Sequence, residues 1–495
     1  NDFFNGLVLS AQLSWRDVGV LRAYAAYMKQ ITFPFSKHAI IKTLMAYPVL
    51  SQKIVELFYL RFDPSMDSQS SKRDYYQLKD TVCEELDTVA NLNDDRILRQ
   101  YIALIEGTVR TNYFQQVDGQ YKEYISLKMS PRSIPDIPEP RPLYEIFVFS
   151  NRVEGVHLRG GKVARGGLRW SDRTEDFRTD VLGLVKAQSV KNAVIVPNGA
   201  KGGFVAKKAC MSDGRDAFMK EGIRCYQTFI KGLLDVTDNL EKGKIIPPKN
   251  VVRRDEDDAY LVVAADKGTA TFSDIANEIS VEYGHWLGDA FASGGSVGYD
   301  HKAMGITAKG AWVSVQRHFK EKGIDVQKQD FTVVGVGDMA GDVFGNGMLM
   351  SKHICLTAAF NHLHIFIDPT PNASVSYKER ERLFTTPGTN WADYNQKLIS
   401  RDAKSITITP EMQACFDIDA NSLTPTDLIT ALLKSPVDLI WNGGIGTYVK
   451  GGNETHADIG DKANDALRIN GSQLRCKVFG EGGNLGASQL GRIEF

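Results

Sequence analysis

Over roughly the first 130 residues, apolar side chains recur at three- and four-residue spacing. "DVGVLRAYAAYMKQI", "AIIKTLMAYPVLSQKIVELFYLRF" and "DTVANLNDDRILRQYIALIEGTVRTNYF" each predict amphipathic helix. The proline-dense "KMSPRSIPDIPEPRPLY" can be neither helix nor central strand and marks a boundary. The period then changes. "YEIFVFS" and "VEGVHLRG" predict strands, followed by a glycine-rich basic turn, "RGGKVARGGLRW". A helix is expected over "TEDFRTDVLGLVKAQSVKNA", a buried strand over "AVIVP", a helix over "DAFMKEGIRCYQTFIKGLLDVTDNL" and a short strand over "AYLVVAA". From about residue 310, "AKGAWVSVQRHFKEKG" predicts helix, "FTVVGV" strand, then a helix through Leu356, a strand at "HIFIDP" and late strands at "VDLIWN" and "LRCKVFGEGG". Strands alternating with helices indicate α/β layers behind a helical N-terminal segment.

The length of 495 residues exceeds what one core supports, so two or three domains are expected. A formal net charge of -1 and the lack of any basic block argue against a nucleic-acid partner. Six cysteines without CxxC spacing exclude a zinc framework, leave no metal site expected, and fit a reducing compartment, the cytoplasm. No run of about 18 apolar residues is present, so no membrane span is expected. The start "NDFFNGLVLS" is unlike a signal peptide and lacks Met, and the chain reads as an internal piece of a longer protein. His362 and His364 lack a third ligand nearby, and "RRDEDD" at 253–258 reads as a solvated loop.

"VVGVGDMAG" sets Gly335, Gly337 and Ala340 in a G-x-G-x-x-A arrangement between a strand and a helix. Such a turn needs a tight bend, close backbone approach to a pyrophosphate, and close helix–strand packing, each demanding a small residue. The helix N-terminus adds N–H donors for the anion. Asp338 and Met339 lie within the turn, Asn442 ends the strand "VDLIWN", and Asp368 ends "HIFIDP". A carboxylate after that strand would bind ribose hydroxyls and favour NAD over NADP.

A second cluster is basic. Arg165 and Arg169 flank Gly166 and Gly167, Lys186 and Lys191 lie on or after the next helix, and Lys201 stands in the glycine turn "GAKGG". Singly these read as solvated cations; together, beside glycines, they resemble a pocket for a dianion. Lys201 lacks the GxxxxGK[ST] context of a phosphate loop. A turn lysine or a lysine in proton transfer remain the alternatives. Asp266, at the end of "AYLVVAAD", is the matching carboxylate or else a helix cap.

These motifs, in this order, resemble the glutamate dehydrogenases. "RGGLRW", "QSVKNAVIVPNGAKGGF" and "VVAADKGTATFSDIAN" are similar to that family's substrate-domain motifs. "GGSVGYDHKAMGITAKGAW", "VVGVGDMAGDVFGNGML", "LIWNGGIGTYVK", "GDKANDALRING" and "GEGGNLGASQLGRIE" resemble the very large NAD-specific bacterial class, over roughly residues 140–495. The resemblance implies catalytic roles for Lys201 and Asp266, and substrate binding by Lys191 with Gln188 beside it. It also implies cofactor contacts at Thr307 and Asn484. Arg165 stands where the family carries lysine before "GGLR", and Thr447 in "GIGTYV" stands for an expected serine contacting substrate. The implied organisation is a helical segment over 1–135, a substrate-binding domain over 136–310 and a Rossmann-type NAD-binding domain over 311–495. The substrate is expected in a hinged cleft between the last two. The implied reaction is NAD-dependent oxidative deamination of L-glutamate to 2-oxoglutarate and ammonium, by a homo-oligomeric enzyme. Another amino-acid dehydrogenase and a non-catalytic NAD-sensing segment are the alternatives.

Overall fold

The computed structural model describes residues 2–191, 198–210, 212, 214–264, 270–296, 301–386, 388–394, 398–483 and 485–495, with backbone alone at 186–191, 270 and 301. These residues form two compact units, Asn1–Gly298 and Tyr299–Phe495.

In the first unit, helices α1 (Trp15–Gln30), α2 (Lys37–Ala46), α3 (Pro48–Phe62), α4 (Ser68–Leu86) and α5 (Leu92–Gly107) come first. Ser14, Ser36, Asp67 and Asn91 accept the orphan N–H groups that open α1, α2, α4 and α5, and α3 opens on Pro48. Helix α5 stops at Gly107. The next residues, expected to prolong it, form β1 (Thr108–Thr111), paired with β2 (Ile125–Met129). The β-branched Thr108 and Val109 favour that extended backbone.

The sheet continues with β3 (Tyr144–Phe149), β4 (Val153–Arg159), β5 (Leu168–Trp170) and β6 (Ala200–Ala206), in the order β1-β2-β3-β4-β6-β5. Its neighbours are antiparallel except β5 and β6, which are parallel. Two of its strands precede the proline segment, so the boundary expected near residue 135 separates no core. Tyr24, Tyr27, Phe58 and Tyr101 of the helices share one core with Phe147, Leu158 and Val205 of the sheet. Helix α6 (Phe177–Lys191) joins that face through Phe177, Val181 and Val185. The opposite face packs Ile146, Val148 and Phe204 against α7 (Arg215–Leu234), Leu261 and Val263. Cover on both faces explains why β3 is buried along its whole length and apolar but for Glu145. The expected strand "AVIVP" falls on residues outside those described. Of "AYLVVAA", β7 (Val263–Ala264) is strand, parallel to β8 (Ala292–Ser293), and α8 (Ala270–Glu282) lies between them.

The run "RRDEDD" is not a solvated loop. Asp255 and Asp258, with Asp238, are buried against Arg110 of β1, Lys128 of β2 and Arg159 of β4, three carboxylates on three cations. Glu256 and Asp257 point outward. A charge run cannot reveal that its counter-charges lie about a hundred residues away on a sheet.

The second unit holds α9 (Ile306–Glu321), β9 (Phe331–Val336), α10 (Asp342–Gly347), β10 (Ile354–Phe360), β11 (His364–Ile367), β12 (Leu398–Ser400), β13 (Leu439–Asn442) and β14 (Val478–Glu481). The sheet order is β12-β11-β10-β9-β13-β14. Strands β10, β9, β13 and β14 are parallel, and β11 and β12 are antiparallel additions. The helix expected through Leu356 ends at Gly347, because "ICLTAAF" is a strand. A short apolar run buried on both faces carries no period to separate it from a buried helix.

Candidate active site

Lys201 lies inside β6, not in a turn. Its backbone pairs with Leu158 of β4, and β5 runs along the other side of β6. Side chains alternate along a strand, so Lys201 shares a face with Gly203, where an added Cβ would press on Val181 of α6. Lys201 is only 4 % exposed.

The "RGGLR" segment approaches this strand by backbone. Ala200 N–H donates to the Arg165 carbonyl at 2.9 Å, and Gly202 N–H to the Gly167 carbonyl at 2.9 Å. A Cβ on Gly166 would overlap the Ala200 carbonyl oxygen. The glycines thus bring two chains together around Lys201, a packing demand that sequence reading assigned to a turn. Arg165 and Arg169 are both exposed. Arg169 sits 3.3 Å from Asp180 of α6, whereas Arg165 has no carboxylate partner among the described residues. Gln188 and Lys191 fall on the last turn of α6, with side chains outside those described. Asp266 lies outside the described residues, two positions after β7.

In the second unit β10 lies on one side of β9 and β13 on the other, so the strand order reverses between β9 and β13. Open α/β sheets bind ligands at the carboxyl ends of strands at such a point. Val336, Asn442 and Glu481 stand level there. The residue after each strand bonds to its neighbour: Gly337 N–H to Phe360 O at 2.8 Å, Gly443 N–H to Val336 O at 3.0 Å, and Gly482 N–H to Asn442 O at 3.2 Å. Gly337 has φ +132, which only glycine adopts readily. A Cβ on Gly444 would lie 3.1 Å from Val336 O, and one on Gly483 2.6 Å from Gly444 O. Main chains therefore line this end of the sheet without side chains between them. Thr307, on the first turn of α9, is exposed and places its methyl 3.4 Å from a Cβ built on Gly482.

Within the turn the roles differ from those expected. Gly337, the second glycine, makes the bend; Gly335 leaves room for the Phe344 ring. Asp338 Oδ1 accepts from Ala340 and Gly341 N–H at 3.0 and 3.1 Å, and Oδ2 accepts from Asn361 Nδ2 at 3.1 Å. The carboxylate closes the turn on itself and takes N–H groups expected to face an anion. Ala340 is exposed, and Met339 is buried in the core with Phe344 and Trp391. Trp391 Nε1 donates to Gly337 O at 2.8 Å and was signalled by no motif.

Asp368 does not end the strand beside the glycine turn. It follows β11, which runs antiparallel to β10, and its N–H bonds to Thr357 O. The antiparallel turn carries it three residues back from Phe360, and Asn361 occupies the strand end beside Asp338. Thr447 gives its hydroxyl to the Leu485 carbonyl at 2.7 Å, a contact that ties two loops. Asn484 lies outside the described residues. Asn442 is 1 % exposed, and neither atom of its amide has a partner among the described residues. A buried amide left unpaired is costly.

The reversal point, the glycine row and the unpaired amide define an α/β protein with a Rossmann-type dinucleotide-binding unit. The chain belongs to the bacterial NAD-glutamate dehydrogenases. The family model "Bacterial NAD-glutamate dehydrogenase, catalytic domain" matches residues 81–495, and "Glutamate dehydrogenase, helical motif 3" matches residues 1–64. The NAD-specific glutamate dehydrogenase of Pseudomonas aeruginosa is 63% identical over 505 residues, covering 100% of this chain and 31% of that protein. Those of Halomonas elongata and Mycobacterium tuberculosis are 61% and 56% identical, covering 100% of this chain and 31% and 32% of theirs. The chain thus spans about a third of the length of these relatives.

Proposed function

We propose that this chain is the catalytic region of an enzyme that oxidatively deaminates L-glutamate to 2-oxoglutarate and ammonium with NAD. The observation that carries the reading is the burial of Lys201 on a strand whose neighbours are glycines. An ammonium at 4 % exposure serves no solubility purpose, and main chain drawn in by the neighbouring glycines frames it. The chain's membership of its family supports the same choice.

The residues of the second unit fit a dinucleotide. Gly337, Gly443 and Gly482 follow β9, β13 and β14 side by side at the strand ends, Asn442 offers an unpaired amide, and Thr307 reaches the same row. Bound NAD supplies the hydride acceptor.

Lys191 and Arg165 hold the two carboxylates of the substrate, the planar fork of arginine suiting a bidentate grip. Arg169 is partly neutralised by Asp180 and orients rather than anchors. Asp266 takes a proton from the substrate amine, so that a lone pair develops on nitrogen as the α-carbon is oxidised. Lys201 orients the water that adds to the resulting imine and stabilises the carbinolamine oxygen; Asp266 returns the proton to the departing ammonia. We assign the enzyme to the cytoplasm, supported by six cysteines that are all free thiols, and read it as a homo-oligomer. Among the described residues no helix is long and apolar enough to cross a membrane.

NADH formation from glutamate by the intact protein tests the reading, with leucine as the competing substrate. Asp266→Asn is expected to abolish turnover and leave NAD binding intact. Activity with leucine but not glutamate would overturn the assignment.

A further inference from the structure

We propose that Arg159 is a positioning residue that sets the spacing between the strand carrying Lys201 and the segment that runs into Asp266. The inference rests on the roles given to those two residues above.

Arg159 is the last residue of β4 and stands in register with Ala200, as Leu158 does with Lys201. The next residue continues the pairing, Gly160 N–H donating to Gly199 O at 3.0 Å. The backbone of Arg159 is therefore bound to the strand one residue from the lysine.

Its side chain, 1 % exposed, reaches the other segment. The guanidinium takes both oxygens of Asp258, Nη1 at 3.0 Å and Nη2 in a shorter bond, and Nη1 also donates to the Tyr260 carbonyl at 2.6 Å. Asp258 is held from two further sides. Lys128 Nζ donates to its Oδ2 at 2.6 Å, and its own N–H donates to Asp238 Oδ2 at 2.7 Å. Three residues past Tyr260, Val263 N–H bonds to Phe291 O at 2.9 Å and β7 begins. Asp266 follows β7 by two residues. Tyr260 and Asp266 are six positions apart in the chain, and β7 pins part of the stretch between them.

Stability gives no reason for such a cluster, because buried ion pairs replaced by well-packed apolar groups often leave a protein as stable or more so. Geometry does give one. A planar fork holds a carboxylate and a carbonyl at fixed angles, which a lysine ammonium cannot do. Misplacement of reacting groups by about 1 Å is enough to cost two orders of magnitude in rate.

The test compares Arg159→Lys and Asp258→Asn with the parent, all as intact protein. We expect both variants to keep their NAD affinity, read by fluorescence titration, and their KM for glutamate. We expect kcat per folded molecule to fall on the order of tenfold or more, with Arg159→Lys retaining more activity than Arg159→Met. A lower melting temperature with kcat per folded molecule unchanged in both variants would overturn the proposal. If Arg159→Lys fails to fold, Asp258→Asn, which keeps the shape of the side chain, decides by the same criteria. A parent inactive on glutamate, or a fully active Asp266→Asn, would overturn the underlying reading instead.

Discussion

Thr447 donates its hydroxyl to the carbonyl of Leu485 at 2.7 Å, tying two loops 38 residues apart in the chain. Leu485 has φ +50, a left-handed conformation that costs a non-glycine residue about 1–2 kcal/mol. The tie is reinforced where Tyr448 N–H donates to Gly486 O at 2.9 Å and Ser488 N–H to Val449 O at 2.9 Å. Asp461 anchors the other loop by accepting from Thr447 N–H at 2.9 Å. The strained residue adjoins Asn484, the residue proposed to contact the cofactor.

Thr447→Val leaves the Leu485 carbonyl without its donor, at a cost of about 1 kcal/mol. We expect the KM for NAD to rise roughly fivefold while the KM for glutamate holds, and Thr447→Ser to restore the parent value. Steady-state kinetics with each substrate varied in turn check this. A rise confined to glutamate would instead support Thr447 as a substrate contact.

Gly337→Ala places a Cβ 2.8 Å from that of Phe344 on a backbone with φ +132. The turn must shift, so NAD binding measured by calorimetry should weaken by at least about tenfold. Gly310, exposed on α9 with open space around it, is the control: Gly310→Ala should bind NAD like the parent and melt slightly higher.

Arg178 of α6 and Glu145 of β3 form a two-armed pair, 2.8 Å on each arm, with both side chains buried. Gln30 of α1 accepts from the Arg178 N–H, so this pair lies where the helical segment meets the sheet. Arg178→Met strands the carboxylate and should lower unfolding free energy by about 3–5 kcal/mol, measured by urea denaturation. Replacing both partners with apolar residues should recover much of that loss.

His157 and His285 are held neutral. Burial pushes His157 down to about 3, with the Arg159 cation adding to it, and burial pushes His285 down to about 4. An unfolded histidine titrates near 6.5 and so binds more protons than the native one below that pH. Stability contributed by these two sites is complete above about pH 6.5 and declines as pH falls toward 4, by about 1.4 kcal/mol per unit for each histidine. His157→Phe should flatten the decline of unfolding free energy between pH 6 and 4, read by urea titrations at each pH. An unchanged slope would show that the imidazole is protonated in the native state.

Much of the α/β architecture was legible in the sequence because it rests on local physics. Period-3.6 apolar patterns marked the helices, and β3, β4, β9 and β13 read as strands from continuous or alternating apolar runs. Where two elements share a local signal, the reading failed. "GTVRT" continued a helical period yet became β1, and "ICLTAAF" became β10 because burial on both faces erases periodicity. Membership of the family was likewise carried by residue order alone.

Placement across the sheet was decided only by tertiary structure. The glycines around Lys201 signalled a turn, but Gly166 lets main chain pass against Ala200, and Gly202 and Gly203 leave room for Leu168 of β5 and Val181 of α6. Asp368 matched the expected acidic residue in sequence, yet an antiparallel strand carried it away from the glycine turn and left Asn361 there. The charges of 253–258 resembled a solvated loop until their counter-ions appeared on β1, β2 and β4. Spacing along a chain fixes which residues share a helix or strand face. It carries no information about which distant backbone or charge fills the space opposite, because that depends on strand order and direction.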